Sequence, residues 1–353
     1  SVDDSEISDE ARQYIALLNG KRAIFNNRPR HTEFCMSNEI ARRKVVEFIA
    51  NYAELHDNAD YFHVWLADAR NNHCECSECQ KKTPSDWYII LLNDIDEALE
   101  AAGLNTRIVF ISYVDTTFAP LEETIKNPKR FTMLFAPIFR SFAYSMPDGR
   151  GNTEIKPYVR NKNKYPDTLA ASFDYFDEWK KIWKGANVAY EYHFWRHQYF
   201  DISGIEISKL IVEDVKTYNE YGINGIIEDG SQRSFFPTGL AFYTYARSLF
   251  DSSLSCEEIA EDYFSCAFGE DWKQFRDYLA ELGKAFDFGY MEGEKSVDKS
   301  VSQFYNPPHV EKLRMVAELA AEEELAELQK YFEDMGYSVF PIMAAIAEGT
   351  SEL

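Results

Sequence analysis

YFHVWLADARNNHCECSEC, residues 61–79, decides the fold of this chain. An apolar, β-branched and aromatic run ends on Asp68, and a loop then presents Cys74, Cys76 and Cys79 beside His73. A run of this length bounded by a polar loop reads as a buried strand. In α/β proteins the loops at the carboxyl ends of strands are where sites are assembled, so a carboxylate and a thiol cluster placed there point to chemistry.

Outward from this segment, strand-like runs alternate with helical ones. The strand-like runs are TEFCMS (32–37), YFHVWLA (61–67), TRIVFISY (106–113), FTMLFAPIF (131–139), NVAYEYHFW (187–195) and INGIIED (223–229). Amphipathic helices are predicted between them, as at 39–55 and 86–102. This alternation implies βαβ units and a parallel sheet. No G-x-G-x-x-G follows any strand, which favours a TIM-type (β/α) barrel over an open doubly wound sheet. Six strands are counted where a closed barrel needs eight, with Lys21 to Phe25 a short extra piece. Either two strands lie upstream of residue 1, or the sheet is closed or left open irregularly. Residues 1–236 are read as the barrel and 237–353 as a helical extension, punctuated by Pro237 and Gly269. Its last predicted helix is HVEKLRMVAELAAEEELAELQKYFEDM (309–335). The loop at 141–168, rich in Pro, Gly, Asn and Lys, reads as a lid over the strand ends.

Among the 353 residues, 59 Asp and Glu stand against 37 Lys and Arg, a net charge of −22 that disfavours nucleic acid and anionic membranes as partners. Aromatics make up 15% of the chain, more than an ordinary core requires. Faces of Trp and Tyr suit sugar rings, although an aromatic core would explain them equally. No segment approaches the ~20 apolar residues of a membrane span. The start, SVDDSEISDE, lacks the basic and apolar regions of a secretory signal.

Several strands end on groups able to bind or transform a polyol: Asn38, Asp68, Tyr113 with Asp115, Arg140, Glu191 with Tyr192, His193 and Trp195, and Glu228 with Asp229. Glycoside hydrolysis asks for two carboxyl groups, one an acid for the leaving oxygen and one a nucleophile, base or polariser. Each acidic residue has a plainer reading as a helix cap or an Arg partner. Glu191 stands within the aromatic run AYEYHFW, where burial would suit it to acid catalysis. The thiols of HCECSEC, completed by Cys35 at the end of the preceding strand, match the four-ligand preference of a structural zinc site. Free thiols and a disulfide within the loop are the alternatives. A Cys74 nucleophile would need a base better aimed than adjacent His73, and no thioredoxin-like pattern surrounds Cys76 and Cys79.

On the stretches YIALLNGKR (14–22), FCMSNEIAR (34–42), VWLADARNNHCECSEC (64–79), RIVFISYVDTTFAP (107–120), LFAPIFRSF (134–142), YEYHF (190–194) and VEDVKTYNEYGINGIIEDG (212–230), the chain resembles the bacterial family designated domain of unknown function 4838. That family includes glycoside hydrolase family 163 and is related more distantly to α-glucuronidases and hexosaminidases. The resemblance implies a TIM-type barrel hydrolase exported to the periplasm or cell surface, with two further strands ahead of the 14–22 segment. For family 163 members it implies retaining endo-β-N-acetylglucosaminidase action on N-glycans. ADARNN departs from the more glycine-rich turn of many relatives, at Asp68 itself.

The expected function is therefore a retaining glycoside hydrolase needing no cofactor for catalysis. Asp68 is the expected proton donor or polariser, Glu191 its carboxylate partner and Glu228 the reserve. Asn38, Tyr113, Asp115, Arg140, Tyr192, His193, Trp195 and Asp229 are the expected sugar-binding residues, and Cys35, Cys74, Cys76 and Cys79 the zinc ligands. The competing expectation is a non-catalytic carbohydrate-binding or scaffold protein on a degenerate barrel.

Overall fold

The computed structural model describes residues 4–138, 140–146, 154–166, 168–195, 197–230, 238–285 and 288–292. Pro237, the predicted helix at 309–335, and residues 147–153 and 167 of the predicted lid lie outside the described residues. The chain forms two compact units, one made of Ser1–Arg140, Gly149–Glu191 and Tyr218–Ile227, the other of Ser141–Asp148, Tyr192–Thr217 and Glu228–Leu353.

The first unit is built on a parallel sheet of five strands in sequence order, β3 (Tyr61–His63), β4 (Arg107–Ser112), β5 (Phe131–Phe135), β6 (Ala186–Glu191) and β7 (Ile223–Glu228). The sheet curls into a half-barrel. Its register pairs His63 with Val109, Ile111 with Leu134, and Leu134 with Val188. Because side chains alternate along a strand, this register fixes two faces. On one face Phe110 meets Tyr88 of α3 (Pro84–Ala101) and Trp179 of α4 (Leu169–Ile182), and Phe135 meets Phe173 and Phe176 of α4. On the concave face Val109, Ile111, Leu134 and Ala136 form a cluster with Tyr113, Val188 and Tyr190. Gly225 of β7 faces the same way, since a Cβ there would lie 3.3 Å from Val188 Cγ1. Burial on both faces explains why FTMLF is continuously apolar.

TEFCMS does not join this sheet. Phe34 makes a single antiparallel bridge with Ile15, next to the hairpin of β1 (Leu17–Leu18) and β2 (Lys21–Arg22). Asn19 and Gly20 both have positive φ, 49° and 77°, as a two-residue Asn-Gly turn requires. Glu33 and Cys35, buried on opposite sides of Phe34, are used by other contacts, so no row of side chains is left to line a barrel face. Cys35 therefore reaches the thiol loop from a hairpin-linked segment and not from a neighbouring parallel strand. YFHVWLA also pairs for only three residues before the chain leaves the sheet.

Short α1 (Asp9–Arg12) precedes the hairpin, and α2 (Glu39–Leu55) follows it. Capping sets where α2 and α3 begin: Asn38 accepts hydrogen bonds from the amides of Ile40 and Ala41, and Thr83 forms a capping box with Asp86. α5 (Ile205–Glu220) leads back into the sheet. In the second unit α6 (Leu240–Phe250), α7 (Cys256–Phe268) and α8 (Trp272–Ala285) bury Leu240, Phe264, Phe275, Leu279 and Leu282 together, followed by α9 (Phe288–Met291). Gly269 ends α7 with φ of 62°, as its sequence position predicts. No helix among the described residues is long and apolar enough to cross a membrane.

Candidate functional site

The parity that places Val109 and Val188 on the concave face also places Tyr113 and Tyr190 there, at the carboxyl ends of β4 and β6. Trp65, 42% exposed, meets Tyr190 edge to face with ring centroids 5.6 Å apart, and His63 packs on Trp65 at 5.3 Å. Beside this wall stands Asp68, exposed, with the Tyr113 hydroxyl donating to Oδ1 at 3.4 Å. A solvent-facing carboxylate next to aromatic faces can bind hydroxyls and stack on apolar ring surfaces.

The turn carrying Asp68 is held from beneath. The Asp68 amide donates to Arg30 O at 3.1 Å, and that of Ala69 to Ala67 O at 2.7 Å. Glu33, buried, accepts from Ala67 N at 2.8 Å. Burial pushes the Glu33 carboxyl up to about 7, opposed by that hydrogen bond and reinforced by the charge of Asp115. Asp115 has no exposed surface; it accepts from Asn71 N at 2.8 Å, Asn163 Nδ2 at 2.8 Å and the Tyr165 hydroxyl at 2.9 Å. His73 approaches it at 3.8 Å, and burial pushes this imidazole down to about 4, so it is neutral at pH 7. Asp115 thus ties the 163–165 segment to the Asp68 loop, and its burial and filled oxygens make it a support instead of a sugar ligand. Glu33 carries no motif that betrays it. Its only signal in the sequence is a charged residue inside a run otherwise read as a strand.

The four predicted thiols converge. Cys35 Sγ lies 3.6 Å from Cys74 Sγ and 3.8 Å from those of Cys76 and Cys79, and all four sulfurs lie within 4.8 Å of one another. The backbone amides of Leu17, Ser37 and Cys79 point at sulfur, at 3.2 Å to Cys74, 3.4 Å to Cys79 and 3.4 Å to Cys76. Hydrogen bonds from Cys74 and Cys79 hold the Cys35 thiol down, and the same contacts push both donors up. All-sulfur donors, largely shielded from solvent and surrounded by amide donors, fit a cation bound through thiolates, and the cluster could hold a metal. Arg160 clasps the loop from outside, donating to Cys74 O at 3.0 Å and Cys79 O at 2.7 Å, while Asn161 exchanges hydrogen bonds with both backbone groups of His73.

Glu191 faces away from the concave side. Parity sets it opposite Tyr190, toward α5, where Tyr218 donates to its Oε1 and Arg140 Nη1 pairs with the same oxygen at 3.0 Å. The side chains of both Arg140 and Glu191 are fully buried. Asn38, also expected to bind substrate, is committed to capping α2.

In the second unit, Glu228 is partly exposed and accepts from Phe194 N at 2.9 Å through Oε1, with His193 Nδ1 3.1 Å from Oε2. His193 Nε2 lies 3.1 Å from Asp214 Oδ2, and Asp214 accepts from Met146 N at 2.7 Å. Asp214 was not among the sequence-predicted residues, because it lies on α5 away from any strand end. Burial raises Asp229 above the usual carboxylate range. A Cβ on Gly230 would sit 2.7 Å from the Phe194 carbonyl carbon, so only glycine fits beside this turn. Trp195, 37% exposed, leans on buried Tyr192 at 6.0 Å.

A family model described as "Domain of unknown function (DUF4838)" matches residues 7–280. No curated protein matches the chain, and no solved structure does.

Proposed function

This chain belongs to the DUF4838 family, and within it we propose that the protein is a glycoside hydrolase acting on a glycan at the concave face of the half-barrel. The observation that carries this reading is the exposed carboxylate of Asp68, hydrogen-bonded by Tyr113 beside the Trp65–Tyr190 wall. A sugar stacked on the aromatic wall would present its glycosidic oxygen or 2-acetamido group to Asp68. When protonated, Asp68 donates to the leaving oxygen; as a carboxylate it polarises the acetamido nitrogen.

A retaining pathway also needs a nucleophile, either a carboxylate or the substrate's own acetamido oxygen. Glu191 is spent on Arg140 and Tyr218, so its proposed role is to support the strand end. Glu228, held by Phe194 N and His193 in the second unit, is tested separately by replacement with Gln. An endo-β-N-acetylglucosaminidase is the specific activity we propose. The test is a screen of N-glycans and chitin fragments with mass-spectrometric product analysis. Released reducing-end fragments support the reading, and intact substrates across the screen would contradict it.

A second reading, carbohydrate binding without hydrolysis, is favoured by the locked state of Glu191. It predicts glycan-array binding that depends on Trp65 with no product formed.

For the thiol cluster we propose a structural zinc ion held by Cys35, Cys74, Cys76 and Cys79. Zinc would offset half of the charge of four thiolates and pin the loop after Asp68, without entering the reaction. Elemental analysis should find one zinc per chain, lost on Cys76→Ser.

A further inference from the structure

We propose that Glu33 and Asp115 are positioning residues, a pair of buried carboxylates that grip the backbone on either side of Asp68 and fix its turn for substrate. The inference rests on the reading of Asp68 as the functional carboxyl.

Glu33 holds the amide of Ala67, one residue before Asp68, at 2.8 Å. Asp115 holds the amide of Asn71, three residues after it, also at 2.8 Å. Between these two grips the chain turns tightly, through the Ala69–Ala67 hydrogen bond, and Asn71 adopts a positive φ of 54°, a left-handed conformation that Asn tolerates. Asp68 is thus the exposed crest of a short turn whose two feet are anchored to the interior.

The chemistry of the anchors is costly. Neither Glu33 nor Asp115 forms an ion pair with Lys or Arg among the described residues, and the nearest His73 nitrogen lies 3.8 Å from Asp115, beyond hydrogen-bond distance. Burying carboxyl groups without a cation is unfavourable unless hydrogen bonds compensate. What a carboxylate supplies here is a strong, directional acceptor for a backbone amide that has no partner in a sheet or helix. The two acceptors come from different parts of the chain, Glu33 from the segment bridged to Ile15 and Asp115 from the turn after β4. Their convergence on one turn is not a by-product of local sequence. Tyr113, two residues before Asp115, places its hydroxyl on Asp68 itself, so this same turn supplies both an anchor and a direct contact.

The test is residue-resolved amide hydrogen exchange on the full chain. In the wild type, Ala67 and Asn71 amides should exchange at least about tenfold more slowly than their intrinsic rates. Glu33→Leu removes the acceptor and should accelerate Ala67 by about tenfold while strands 107–112 and 131–135 keep their protection. Glu33→Gln retains a carbonyl acceptor and should restore Ala67 to near the wild-type rate. Intrinsic-rate exchange of both amides in the wild type would overturn the proposal, and that result does not depend on any variant folding. So would uniform acceleration across the sheet in Glu33→Leu, or a Glu33→Gln protein as fast as Glu33→Leu. Glycan turnover by Asp68→Asn reads the function of Asp68 alone, and the exchange experiment reads the clamp without substrate, so the two failures are told apart.

Discussion

At the scale of single residues, the aromatic wall and the buried ion pair make opposite predictions. Trp65 is exposed and its ring packs edge-on against Tyr190, so Trp65→Ala should weaken glycan binding by roughly tenfold, of the order expected for one aromatic contact, with little change in unfolding. Isothermal calorimetry and a urea transition on the same preparation check both halves. Arg140 and Glu191 are fully buried, so Arg140→Met should cost about 3–5 kcal/mol by stranding the carboxylate. Arg140→Met with Glu191→Met should recover most of that loss, and a double variant as unstable as the single one would refute the account of this pair. The convergence of the four thiols was legible in the sequence because cysteine spacing is a local signal, whereas Asp68 lies in a turn beyond the end of β3 at His63. Glu33 was not legible, because its burial is set by residues more than thirty positions away. Nor could the roles of Glu191 and Asp115 be read, since parity and filled hydrogen-bond shells exist only once the sheet is paired.

At the scale of elements, the five parallel strands and the intervening helices followed from their periodicity, while the extent of pairing did not. TEFCMS has a strand-like composition but carries Glu33 and Cys35, whose burial serves a clamp and a thiol cluster, and it meets the chain through one bridge. The start of α3 shows how a polar residue can decide an element. Burial would raise Asp86, but hydrogen bonds from the Thr83 hydroxyl and from the amides of Glu122 and Glu123 outweigh it and hold the carboxyl below its usual range. A carboxyl depressed in the folded state contributes stability above its unfolded pKa and loses it as pH falls through the folded value. Asp86→Ala should therefore destabilise the protein by about 2 kcal/mol or more at pH 7. The gap between variant and wild type should narrow below about pH 4. Urea midpoints measured from pH 7 to pH 2.5 would show a pH-independent gap if this account of Asp86 is wrong.

At the scale of the whole molecule, the thiol loop, the Arg160–Asn161 clasp and the Asp115 network are continuous with one another within the first unit. With the proposed zinc as the pin of this loop, a strong chelator should lower the melting temperature and open the bond after Arg160 to trypsin, since its guanidinium is otherwise tied to Cys74 and Cys79 carbonyls. An unchanged digestion pattern would count against zinc as the pin of this loop. Trp65 and Asp68 are exposed beside Tyr190 near the carboxyl ends of the strands, and function is assigned there. The most direct measurement is turnover of a glycan that the wild type cleaves, repeated with Asp68→Asn. A loss of at least ~100-fold with unchanged folding is expected, the range of an acid–base group. Turnover within a few-fold of the wild type would contradict it.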